Sequence, residues 1–181
     1  MYEKILITVA GVLLFSNAVG AQNAVLDLKP EHAAALEVYL AENKTRSFRK
    51  ESILNDEYLA SMRDNREFGK TFKPNYAVGD FNGDKIEDFA MILNRSGKPE
   101  WPTEDKNRIT EHTPDYPLTI VIFNGLGNGK FRLAFAEDTM GPAAAFIHFT
   151  GNKKAKALYY SIYETDEIAK FAASGKGYII D

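Results

Sequence analysis

Tyr76-Ala77-Val78-Gly79-Asp80-Phe81-Asn82-Gly83-Asp84-Lys85-Ile86-Glu87-Asp88-Phe89-Ala90-Met91-Ile92-Leu93 is the segment on which the reading of this chain turns. Two apolar runs with strand composition flank a polar loop in which Asp80, Asn82, Asp84 and Asp88 place side-chain oxygens at the first, third, fifth and ninth positions. A tight loop turns alternating side chains inward, so these oxygens are able to converge on one hard cation. Calcium suits them, because it takes about 6–8 oxygen ligands and tolerates irregular geometry. The main-chain carbonyl of Ile86, at the seventh position, supplies a further ligand, and water completes the shell. The twelfth position, where a helix–loop–helix calcium hand carries glutamate, is Met91 inside the next strand. The expected setting is therefore strand–loop–strand. The competing use of the same residues is a metal-free turn in which Asp and Asn cap their own backbone.

Working outward, Phe89, Met91 and Leu93 fall on one face of the following strand and Ala90 and Ile92 on the other. Residues 117–124 are likewise apolar on both sides. Strands of this kind are central and covered on both faces, here by the N-terminal helices. Phe131, Leu133 and Phe135 alternate with Arg132, Ala134 and Ala136, which places residues 130–136 nearer an edge. Further strands are expected at 144–150, 156–163 and 167–173, all antiparallel. The polar stretch 95–116 contains Pro99, Pro102 and Pro114 and has no periodicity. Loops of this length are often functional, and Trp101 within it is the candidate partner-binding anchor or a lid over the sheet.

Val78-Gly79-Asp80-Phe81-Asn82-Gly83-Asp84 followed by Asp88-Phe89-Ala90 resembles the FG-GAP/VCBS repeat of integrin-type propeller blades and many secreted bacterial proteins. The resemblance continues through Leu118-Thr119-Ile120-Val121-Ile122-Phe123-Asn124-Gly125 and Gly127-Asn128-Gly129-Lys130-Phe131, so it covers about one blade, residues 76–131. It implies a structural calcium ion held by Asp80, Asn82, Asp84 and Asp88. Lys85 departs from the pattern, which has glycine there. Glycine adopts a positive φ freely, whereas lysine does so at a steric cost. One blade cannot close a propeller of about 4–8 blades, so the remaining strands are expected to complete a different small sheet.

Upstream the period is helical. Pro30 suits a first helical turn, and Ala33, Leu36 and Leu40 recur at helical spacing to about Asn43. Asn55 is a cap for a second helix, with Asp56 and Glu57 in its first turn, Leu59 and Met62 on its apolar face and Gly69 beyond its end. Lys44, Arg46, Arg49 and Lys50 read as a solvated linker between the two. The expected fold is α+β: two N-terminal helices packed on a mostly antiparallel twisted sheet of about five to seven strands.

Length and composition bound the rest. The chain has 181 residues, 45% hydrophobic and 26% charged, which suits one globular domain with a real core. A net charge of −3 argues against a broad nucleic-acid footprint. The absence of cysteine excludes disulfides, thiolate metal sites and a cysteine nucleophile. Lys4, the apolar run Ile5–Phe15 and the small residues Ser16, Ala18, Gly20 and Ala21 have the organisation of a secretory signal peptide cut after Ala21. The run is shorter than the roughly 20 residues a membrane span needs. Residues 22–181 then form the mature domain, periplasmic or secreted, with no membrane span.

No catalytic set is evident. His32, His112 and His148 lack zinc spacing, with His32 expected on a surface helix and His148 in a strand. Glu111-His112 has no nucleophile positioned beside it, and Gly125-Leu126-Gly127-Asn128-Gly129 enters a strand rather than the helix a phosphate loop needs. The leading expectation is a non-enzymatic exported binding protein with a calcium-stabilised loop and a protein partner in its own compartment. An inhibitor or immunity protein for an enzyme there is one alternative. A small calcium-dependent hydrolase using Glu87 or Glu111, or an envelope component that self-associates, are the others.

Overall fold

The computed structural model describes residues 28–49, 56–64, 68–100, 114–142, 144–152, 155–162, 168–175 and 177–181. The signal peptide, Asn55, Trp101, Glu111 and His112 lie outside the described residues.

Helix α1 (Pro30–Glu42) begins with proline at its first turn, where a missing N–H removes no hydrogen bond. It stops at Asn43, whose amide donates back to the Tyr39 carbonyl at 2.9 Å. Its buried face comprises His32, Ala33, Leu36 and Tyr39, while Leu40 is half-buried against the same core. After a short strand, β1 (Arg46–Phe48), comes helix α2 (Asp56–Asp64), which buries Leu59 and Met62 as its spacing predicts.

The other strands are β2 (Tyr76–Gly79), β3 (Asp88–Arg95), β4 (Tyr116–Gly127), β5 (Lys130–Gly141), β6 (Ala145–Asn152), β7 (Ala155–Ile162), β8 (Ile168–Ser174) and β9 (Gly177–Ile180). The fold class is α+β and the pairing is antiparallel, as expected. The strands divide into two sheets rather than one. In the first, β2 to β5 pair in chain order, with β1 beside β2 on the same side of β3. In the second, β6 to β9 form a meander.

The alternation read from β3 resolves into two separate cores. Phe89, Met91 and Leu93 pack with Val121 and Phe123 under α1. Ala90 and Ile92 pack with Leu118, Ile120 and Ile122 against Ala145, Ile147, Leu158 and Phe171 of the second sheet. A third cluster joins Leu59 and Met62 of α2 to Phe72 and to Phe146, on the outer face of β6. The layers therefore run α1, first sheet, second sheet, α2. Each large apolar side chain fully buried in this stack contributes about 1.5–3 kcal/mol of transfer free energy, and β3 supplies four, Phe89, Met91, Ile92 and Leu93, with Ala90 among them. The covering partner is where expectation and structure differ: one helix covers one sheet face, and a second sheet covers the other. Strand β5 is the outer strand of its sheet, as expected, but its alternation does not hold: the register shifts between Ile122 and Phe123, so Phe131 packs in the core under α1, Phe135 in the core between the sheets, and Leu133 is exposed.

The basic segment between the helices is not a simple solvated linker. Arg46 pairs in register with Arg95 of β3 and bonds Asp138 across the sheet at 3.0 Å. Arg49 is 2% exposed and donates to the Pro142 carbonyl at 3.2 Å. Residues 74 and 75 link the sheets: the Pro74 carbonyl accepts from Ile147 N at 2.8 Å, and that of Asn75 from Ile92 N at 3.1 Å. A backbone bridge between Glu100 and Asp115 pins the two ends of the polar loop together. No helix among the described residues is long and apolar enough to cross a membrane.

Candidate functional site

Antiparallel pairing of Gly79 with Asp88 closes β2 and β3 around the acidic loop. Within it three side chains turn onto the loop's own backbone. Asp80 Oδ1 accepts from Gly83 N at 2.8 Å, Asn82 Oδ1 from Asp84 N at 2.9 Å, and Asp84 Oδ1 from Ile86 N at 2.8 Å. The Asn82 amide also donates to Asp84 Oδ2 at 3.0 Å. These are side-chain-to-backbone turns of the kind Asp and Asn favour. Gly83 and Lys85 take the left-handed conformation, with φ of +83° and +70°. Lysine thus adopts the backbone shape that glycine supplies in the resembling repeat.

Asp88 behaves differently from the other three. It is fully buried, and both carboxylate oxygens receive backbone N–H groups: Phe81 N at 2.8 Å and Asn82 N at 3.3 Å on Oδ2, Gly125 N at 2.9 Å on Oδ1. Burial pushes this carboxyl above its ordinary range, and the three N–H donors pull the other way. Gly125 is required by the close approach of β4 to the loop, since a Cβ there would lie 2.2 Å from the Glu87 carbonyl oxygen. Next to it, Asn124 Oδ1 accepts the Tyr178 hydroxyl at 2.7 Å, so β9 of the second sheet is tied to this point. Burial, together with the charges of Asp88, Asp84 and Asp80, pushes the Tyr178 hydroxyl far up, which keeps it a donor.

Among the described residues, no group of three or more His, Cys, Asp or Glu is placed to hold a metal ion. The structure brings Asn82 and Asp84 into contact, turns Asp80 onto the Gly83 N–H instead, and sets Asp88 apart as a buried latch. Ile86 is half-buried in the same loop. The donor chemistry suits a hard cation, because an oxygen that accepts one N–H keeps a second lone pair.

One charged cluster beside the loop has no sequence signal. Glu87 is gripped by Lys29 at 2.6 Å and faces His32 Nε2 at 3.3 Å, although Lys29 and Glu87 stand 58 positions apart. His32 is not on the surface. It is fully buried, stacked on Phe89 at 4.4 Å between ring centroids, with its Nδ1 on the Tyr76 hydroxyl at 2.5 Å. Burial lowers its basicity, against the opposing pull of Glu87. The reason is packing: the helix face that carries His32 lies over the first sheet, where Phe89 of β3 stacks beneath the ring and Phe131 of β5 meets it at right angles. His148 lies in β6 as expected, close to Ser161 Oγ at 3.4 Å and stacked on Tyr159.

Comparison with protein-family models found no match for this chain, and comparisons with curated proteins and with solved structures found none either.

Proposed function

We propose that this chain is an exported, non-enzymatic binding domain in which the acidic loop closes around a structural calcium ion, in the manner of the FG-GAP/VCBS repeats it resembles. The observation that carries the reading is the loop itself. Three oxygen-bearing side chains at alternate positions are already organised by backbone turns, and a strand–loop–strand frame latched by Asp88 holds them. Bringing Asp80 and Asp84 together costs electrostatic repulsion that a divalent cation removes. Asp80, Asn82, Asp84 and the Ile86 carbonyl would contact the ion. Asp88 supports it from below by fixing Phe81, Asn82 and Gly125.

Calorimetric titration of residues 22–181 with calcium tests this reading. One ion per chain is expected, with a higher melting temperature in calcium than in chelator. At a free calcium concentration a hundredfold above Kd the stabilisation amounts to about 2.7 kcal/mol. Asp80→Ala and Asp84→Ala should each remove the titration signal. Identical melting curves with calcium and with chelator would overturn the proposal.

A further inference from the structure

A cleft of about 840 Å³ opens between residues 68–73, β2 and β6. Its position follows from the fold. The segment leading into β2 crosses from α2 to the junction of the two sheets, and it carries Lys70, Phe72 and Lys73 past the outer face of β6. The described residues that line it include four cations, Lys29, Arg63, Lys70 and Lys73, and no carboxylate. In a chain of net charge −3 this is a local concentration of positive charge. Lys29 is paired outward with Glu87. Arg63 is steadied by its Nε bond to the Phe72 carbonyl at 3.2 Å, and the Lys73 ammonium lies 5.6 Å from the centre of the Tyr76 ring. Lys70 is exposed at the margin. The apolar wall is aromatic, formed chiefly by Phe72, Tyr76 and Phe149.

We propose that this cleft binds a small anionic molecule with an aromatic body, its acidic group facing Lys70, Lys73 and Arg63 and its ring lying against Phe149. The volume falls within the range of about 300–1,000 Å³ in which small-molecule sites lie. A concave low-dielectric wall concentrates the field of the cations around it, which favours an anion over a neutral ligand of the same shape. The aromatic wall supplies apolar contact that an inorganic anion could not use. The site uses none of the acidic loop's ligands, so it stands or falls independently of calcium.

The probe is 8-anilinonaphthalene-1-sulfonate, compared with its uncharged relative N-phenyl-1-naphthylamine, by isothermal calorimetry at low salt on residues 22–181. One sulfonate per chain is expected, bound about tenfold or more tighter than the neutral compound. Lys70→Glu and Lys73→Glu should each weaken the sulfonate about tenfold while leaving the neutral compound nearly unchanged; Lys70→Glu should also leave the melting temperature nearly unchanged, whereas Lys73→Glu gives up the contact with the Tyr76 ring. The side chain of Lys70 is solvent-exposed, so its reversal separates lost binding from lost folding. Equal affinity for the two compounds, sulfonate binding untouched by both reversals, or no saturable binding would overturn the site. Displacement of the sulfonate by a tighter-binding glutamate decamer would overturn the small-molecule assignment in favour of an acidic peptide.

Discussion

Two positions of one nine-residue loop, its middle and its strand end, put the same residue type to opposite uses. Asp88, at the strand end, is fully buried and spends both oxygens on the N–H groups of Phe81, Asn82 and Gly125. Asp84, four residues earlier, is exposed and holds only the Ile86 N–H and the Asn82 amide. Aspartate therefore serves the fold where the backbone around it is desolvated, and keeps its carboxylate open to solvent where water still reaches it. Spacing alone treats these residues as equivalent members of one ligand set. Burial separates them.

Breaking the strand end should have the largest effect. Asp88→Ala leaves the N–H groups of Phe81 and Asn82 in the loop and of Gly125 in β4 without their acceptor, so urea denaturation should register a loss of about 3 kcal/mol or more, with or without calcium. A loss below about 1 kcal/mol would mean that water reaches the latch and that the two positions do not differ. Breaking the middle should be conditional. In chelator, Asp84→Ala should melt close to the parent; in calcium it should forfeit the ion-dependent gain of about 2–3 kcal/mol. Should Asp84→Ala instead be equally harmful in both buffers, Asp84 belongs with Asp88 as a structural residue.

A smaller effect is expected between the two. Lys85 holds φ at +70°, and Lys85→Gly should relieve the side-chain crowding there, raising stability in chelator by up to about 1 kcal/mol. Any loss on this change would show that the lysine side chain contributes contacts that outweigh its backbone strain. The smallest effect belongs to an acid far from the loop. Burial alone would raise the Asp138 carboxyl, but the Thr119 hydroxyl and the Arg46 and Arg95 guanidinium groups together hold it below its ordinary range. A depressed folded value means that its contribution is present above the unfolded value and disappears as pH falls through the folded one. The pair is partly exposed, so Asp138→Asn should cost under about 1 kcal/mol at neutral pH. The gap between parent and variant should begin to close below about pH 4 and vanish once pH has fallen below the depressed folded value; a gap that persists there would assign the cost to something other than charge.

Much of the architecture around β3 and β4 was legible because period-two alternation reports burial directly. Phe89, Met91 and Leu93 do share one core, Ala90 and Ile92 the other, and α1 runs from Pro30 to the residue before Asn43. The strands β1 and β9 were not legible. Arg46–Phe48 is a three-residue strand among basic residues, and Gly177–Ile180 leaves Ile179 and Ile180 exposed, so neither carries an alternation long enough to register. His32 was misplaced for a related reason. A histidine on a helix gives no sign of which aromatic rings a distant strand will bring beneath it.

The order of residue types by itself determined the class of the fold, the extent of helix α1 and the loop in which oxygen donors gather, since these follow from local spacing and backbone preference; β4 and β5 run on to Gly127 and Gly141, past the ends expected at 124 and 136. Only the tertiary structure decided that the covered strands face a second sheet, that Asp88 sinks while Asp84 stays in water, and that Lys70, Lys73 and Arg63 border one aromatic cleft. Periodicity states that a face is buried. What buries it is set by contacts between segments far apart in the chain.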